Sequence, residues 1–151
     1  MRTARAHAEL VLTPEAALRL WTDVDRWPSF VEGFAGTLER SDDWPSGGAR
    51  LVWESTPAGR GRVTEKVAQA EGPDRFVTQV FEERLHGTQT FRVVESEAGS
   101  HAELSLDYAL TKYGPLAAVA DAIFIRRAIR DSLRRTLSRF AVEAEEEAGL
   151  R

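Results

Sequence analysis

The chain has 151 residues, 42% of them hydrophobic and 29% charged, a balance that argues against disorder and sets a single domain, residues 1–151, as the expectation. With no cysteine there is no disulfide framework, no thiolate nucleophile and no Cys-based zinc site. The net charge of −4 gives no global electrostatic case for nucleic acid.

Met1 to Arg5 leads into alternating residues without an apolar signal-peptide core, so no secretory signal is expected. Residues Ala4 to Leu12 alternate as a strand does, with Ala8, Leu10 and Leu12 on one side. Thr13 then caps a short helix in which Pro14 takes the first position and Glu15 lies in the first turn. Ala17, Leu18, Leu20 and Trp21 supply its apolar side, and Asp23-Val24-Asp25-Arg26 reads as a break. Pro28 opens a second short helix through Glu32, ended by Gly33.

From there the chain reads as strands. Ala35–Arg40 is followed by the loop Ser41 to Gly48, then by Arg50–Ser55 with Leu51 and Trp53 facing one way. Pro57-Ala58-Gly59-Arg60-Gly61 makes a turn before Arg62–Ala70, in which Val63, Glu65 and Val67 oppose Arg62, Thr64 and Lys66. Glu71-Gly72-Pro73-Asp74 turns into Phe76–Glu83, apolar on both faces. His86-Gly87 reads as the next turn, before Thr88–Glu95, and Ala98-Gly99-Ser100 as another. In the last strand Ala102, Leu104, Leu106, Tyr108 and Leu110 face in, while Glu103, Ser105 and Asp107 face out.

Gly114 to about Glu147 predicts one long helix of roughly 45–50 Å, with Pro115 in its first turn. Ala118, Ala122, Ile125, Ile129, Leu133, Leu137 and Phe140 recur as one apolar stripe. A second row in the first half, Leu116, Val119, Ala120, Ile123 and Phe124, predicts that this half is covered on more than one side. The glutamates at 143 and 145–147 oppose the helix dipole, so the last turn is expected to fray. The least polar window, Pro115 to Ile125, is eleven residues long and contains Asp121, too short to span a bilayer. A soluble, cytoplasmic protein is therefore expected.

Antiparallel hairpins and a terminal helix place the chain in the α+β class: seven strands curled around one long C-terminal helix, with two short helices after strand 1. A sheet curled around a cylinder leaves space that side chains alone fill poorly, which predicts a cavity between sheet and helix.

This order of elements resembles the helix-grip fold of the START-like (SRPBCC) superfamily, which holds polyketide cyclases and lipid-transfer proteins. The stretch Thr13-Pro14-Glu15-Ala16-Ala17 with Leu20-Trp21-Thr22-Asp23-Val24-Asp25-Arg26-Trp27-Pro28-Ser29-Phe30 is similar to the family's signature after its first strand. Gly61-Arg62-Val63-Thr64-Glu65 and the segment from Leu106 through Leu133 resemble its later pattern. The resemblance implies a fold more than a function, because this superfold hosts many activities on one pocket. Its single-domain aromatase/cyclase branch places a tyrosine where this chain has Phe34 and an arginine where it has Ala70. Both polar groups that the resemblance would assign to ring closure are absent. The coenzyme-Q-binding branch resembles the Asp23 to Phe30 stretch as well and implies lipid or quinone binding without chemistry.

Direct motif searches find little. His7, His86 and His101 lack metal-ligand spacing, and G-x-S-x-G, GxxxxGK[ST] and GxGxxG are all absent, so no metal and no cofactor are expected. Gly59-Arg60-Gly61-Arg62 reads as a hairpin turn, with an anion site as the other reading. Asp23 and Asp25 read as caps. Glu65 shares a face with Val63 and Val67; turned inward, it would carry a carboxyl with a raised pKa into an apolar space, and turned outward it would lie in water. Trp27, Phe30 and Phe34 cluster near the short helices, while Trp53, Phe91 and Tyr108 lie along inward strand faces, as in an apolar pocket or a dry core. The fold resemblance tips this toward a pocket whose lining Val63, Glu65, Leu106 and Phe124 complete. Tyr108 offers a phenol that needs a partner. Six arginines between 126 and 139 read as a solvated face, or as a surface for peripheral contact with anionic lipid. The expected function is binding of a hydrophobic small molecule, such as a lipid, quinone or polyketide-like compound. The rival is a cyclase or dehydratase in the same cavity, with Glu65 and Tyr108 as its catalytic candidates.

Overall fold

The computed structural model describes residues 1–57, 59–68, 72–111 and 118–149, with side chains in the last helix from residue 123 onward. Strand β1 (Arg2–Leu10) leads into helix α1 (Pro14–Thr22), a 3-10 turn (Val24–Arg26) and the short helix α2 (Trp27–Phe30). Six strands follow: β2 (Phe34–Arg40), β3 (Arg50–Ser55), β4 (Arg62–Val67), β5 (Arg75–Phe81), β6 (Leu85–Ser96) and β7 (Gly99–Leu110). Helix α3 (Ala118–Glu147) closes the described order and, at 30 residues, spans about 45 Å. No described helix is long and apolar enough to cross a membrane.

The strands form one antiparallel, curved sheet in the order β1-β7-β6-β5-β4-β3-β2. Each hairpin pairs with the next, and β1 returns beside β7, with Arg2 opposite Tyr108 and Leu10 opposite Ser100. Two register shifts in the β2–β3 ladder, between Phe34 and Gly36 and between Thr37 and Glu39, bend the far edge as β-bulges do. The helix-grip architecture expected from the sequence is the observed one.

Local chemistry accounts for the helices beside the sheet. The Thr13 hydroxyl accepts the Ala16 amide at 3.3 Å, with Pro14 at the first helical position. Asp23 caps the 3-10 turn by accepting the Asp25 amide at 3.2 Å, so the segment expected as a break is a tight helical turn. The second helix therefore ends at Phe30 rather than Glu32.

Three other expectations change. His86-Gly87 lies inside β6, and the hairpin turns at Glu82–Arg84, where the Glu82 amide meets the Leu85 carbonyl at 3.0 Å. Gly87 serves close backbone approach rather than a turn, because a Cβ there would stand 2.1 Å from the Asp107 carbonyl oxygen. In the second apolar row of α3, Ile123 is 53% and Phe124 75% exposed, so these two are not covered; the rest of that row lies outside the described residues or side chains. The last turn of α3 is held rather than frayed: Arg26 donates to Glu143 at 2.6 Å and to Glu147 at 2.7 Å, neutralising the charges that oppose the dipole. Gln69, Ala70 and Gly114 to Ala117 lie outside the described residues.

The space between sheet and α3 divides in two along the helix. From Leu133 onward it is filled: Leu133, Leu137, Phe140 and Ala144 pack into a core with α1, α2 and the inner strand faces. The Trp21 and Phe91 rings stack 4.4 Å apart, nearly parallel, and Phe140 sets its edge against both at 5.3 and 5.4 Å. From Phe124 to Leu133 the helix instead faces an open cavity.

Candidate functional site

The cavity holds about 300 Å³, at the small end of the range for ligand clefts. Its apolar wall comes from Leu85 at the start of β6, Leu106 of β7, and Phe124, Ile125, Ile129 and Leu133 of α3. Its polar end comes from two hairpin turns: Gly59 and Arg60 between β3 and β4, and Glu82 and Arg84 between β5 and β6. Gln89 enters from β6 and Ser132 from α3.

Arg60 organises that polar end. Its Nε–H donates to Glu82 at 2.5 Å, and its guanidinium carbon lies 5.2 Å from the centroid of the Trp53 ring, a cation–π distance. Beyond Trp53 a second chamber of about 30 Å³, room for roughly one water, shares Arg60, Gln89, Ser132 and Leu133 with the main cavity.

Glu65 lines that small chamber and is 3% exposed. Strand alternation puts it there, because β4 buries Val63, Glu65 and Val67 and turns Arg62 and Lys66 outward. One carboxyl oxygen accepts the Trp53 indole N–H at 2.7 Å and the other accepts the Thr78 hydroxyl at 3.0 Å. Burial pushes its pKa above the usual glutamate range, against the Trp53 hydrogen bond, the nearby Arg60 charge and the Thr78 hydrogen bond, which all pull it down.

The residues singled out in the sequence separate into groups. Leu106 and Phe124 line the main cavity; Trp27, Trp53 and Glu65 line the small chamber. Phe30, Phe34, Val63 and Phe91 are on neither lining: Phe30 and Phe91 belong to the ring cluster around Phe140, Val63 pairs with Trp53 across the ladder, and Phe34 packs on Trp27 and Trp53. Tyr108 is fully buried on the inward face of β7, at the edge formed with Met1 and Arg2, and its hydroxyl has no hydrogen-bond partner among the described residues. It stands apart from Glu65, on the linings of different spaces.

On the outer face, His7 Nδ1 lies 3.2 Å from His101 Nε2, and Glu103 and Glu9 flank the pair. Among the described residues no group of three or more candidate ligands converges on a metal position.

This architecture has relatives. Residues 1–145 match the family described as polyketide cyclase / dehydrase and lipid transport. The chain belongs to this family. Among solved structures, the protein TTHA0849 of Thermus thermophilus superposes with a TM-score of 0.78 at 16% identity, covering 97% of this chain and 99% of that one. The di-domain ARO/CYC StfQ of the steffimycin biosynthetic pathway superposes at 0.72 with 17% identity, covering 97% of this chain and 51% of its own. A START superfamily protein from Mycobacterium smegmatis gives 0.60 at 16% identity, covering 86% and 94%. At such identities the likeness is one of fold. No curated protein matches the sequence.

Sequence reading missed Gln89, Ser132, Glu82 and Arg84. Gln89 carried a signal, since it is in phase with Leu85, Phe91 and Val93 on the inward side of β6. The false turn at His86-Gly87 hid that phase. Glu82 and Arg84 were unreadable for the same reason, because their place in the hairpin depends on where it turns.

Proposed function

We propose that this member of the polyketide cyclase / dehydrase and lipid transport family binds one small hydrophobic molecule, lipid, quinone or polyketide-like, between the sheet and the first half of α3. The cytoplasm is its proposed setting. The observation that carries the reading is the contrast along α3: a ring-packed core from Leu133 to Ala144, and a cavity of about 300 Å³ from Phe124 to Leu133. A dry interior is packed to crystal-like density, so an unfilled volume of this size with an apolar wall is a binding feature.

The test is native mass spectrometry of the purified protein together with thermal shifts against fatty acids, quinones and aromatic polyketides. A co-purifying mass or a raised Tm is expected. Ile129→Trp, which fills the cavity from α3, should abolish the shift while leaving the circular dichroism spectrum intact. Apo protein alone, with no shift from any class, refutes the reading.

A cyclase or dehydratase is the second reading, and the observation that favours it is the buried Glu65 carboxyl with its raised pKa beside the cavity. Both its oxygens are already engaged by Trp53 and Thr78, which favours a carboxyl that shapes the site over one that turns over substrate. Turnover of a poly-β-keto substrate that falls sharply in Glu65→Gln or Tyr108→Phe would reverse that order.

A further inference from the structure

We infer that the occupant of this cavity is an apolar body ending in an oxygen acceptor, a ketone, quinone or carboxylate oxygen, which docks on Arg60 and Gln89. The inference rests on the cavity being a ligand site and adds what the ligand must carry. It follows from the hydrogen-bonding capacity that the protein leaves unspent there.

Most polar groups around the cavity are already used. Both Glu65 oxygens accept, from Trp53 and Thr78. The Ser132 hydroxyl is hydrogen-bonded to Glu32, and Glu82 accepts from Arg60. Two groups that line both spaces remain. Arg60 commits its Nε–H to Glu82, and its two terminal nitrogens, which carry the other four N–H donors, have no acceptor among the described residues. The Gln89 amide lines both the main cavity and the small chamber, also without a described partner. The unspent capacity is thus donor-rich: the two terminal guanidinium nitrogens of Arg60, the Arg84 guanidinium and one amide NH₂ against the Gln89 amide oxygen and the second Glu82 oxygen.

A purely apolar occupant would strip water from these donors and leave them unpaired, which costs binding free energy. An ammonium head would meet the Arg60 and Arg84 cations. An oxygen acceptor satisfies the donors, and the Arg60 guanidinium, fixed between Glu82 and the Trp53 ring, is already oriented to meet it.

Four probes with one apolar body test this by fluorescence titration: naphthalene, acetylnaphthalene, naphthoate and naphthylmethylamine. Acetylnaphthalene or naphthoate should bind at least about ten-fold tighter than naphthalene or the amine, a difference of about 1.4 kcal/mol. A lead for the ketone identifies a neutral carbonyl head and a lead for naphthoate an anionic one; either supports the inference. Arg60→Met and, separately, Gln89→Leu should each shrink that preference while naphthalene still binds. The second variant keeps the test decisive if the first unfolds. Equal binding of all four, or a preference for the amine, overturns the inference and leaves the cavity reading standing. If none binds to folded protein, the cavity reading falls and this inference with it.

Discussion

Replacing Glu65 with glutamine should change how stability depends on pH, because this carboxyl is buried and its burial outweighs the groups that favour its charge. The unfolded chain releases the Glu65 proton near the ordinary glutamate value of about 4.3, whereas the folded protein holds it to higher pH. Below the unfolded value both states are protonated and the contribution to stability is complete. Above it the unfolded state binds fewer protons, and stability falls by about 1.4 kcal/mol for each pH unit until the native carboxyl ionises too. Glutamine keeps an acceptor for the Trp53 indole and cannot ionise. The difference in unfolding free energy, Glu65→Gln minus wild type, should therefore rise across that window and then level off. Glu9, Glu32 and Asp74 have lowered pKa values and give the opposite slope as pH falls, but they are common to both proteins and cancel. Urea denaturation of both proteins from pH 4 to 8 provides the measurement. A difference that stays flat across this range would refute the reasoning, since it would mean that Glu65 titrates in the folded protein as it does in water.

Tyr108→Phe removes a fully buried hydroxyl with no partner among the described residues, so it should leave stability unchanged or raise it by about 1 kcal/mol in chemical denaturation. Phe140→Ala opens the ring cluster of Trp21, Phe30 and Phe91 and should cost about 3–5 kcal/mol by the same assay. Gly87→Ala forces a methyl against the backbone of β7, where neither strand can yield, and should lower the Tm through a loss of about 1–3 kcal/mol. Arg26→Ala frees the solvated Glu147 but leaves the buried Glu143 without its partner, so the cost should be about 1–3 kcal/mol, of which only the Glu147 part should shrink in high salt. Amide exchange should accelerate in the last turn of α3 and not in α1.

The pattern of residues was enough for the elements, because each is written locally. Thr13-Pro14 starts α1, the alternation from Ala102 to Leu110 marks β7, and the unbroken apolar stripe marks α3. Period-2 alternation also placed Glu65 with Val63 and Val67, so its inward side followed once that face was the buried one. Local reading failed where a residue served a distant partner: Gly87 meets β7 rather than a turn, and Glu143 and Glu147 are held by Arg26 rather than left to oppose the helix dipole. Sequence alone determined the helix-grip order and a buried, pocket-prone interior. Only the tertiary structure decided which aromatics fill that interior and which space stays open. Trp21, Phe91 and Phe140 are equally apolar whether they line a cavity or close it, and the choice depends on where the rings meet across elements far apart in the chain.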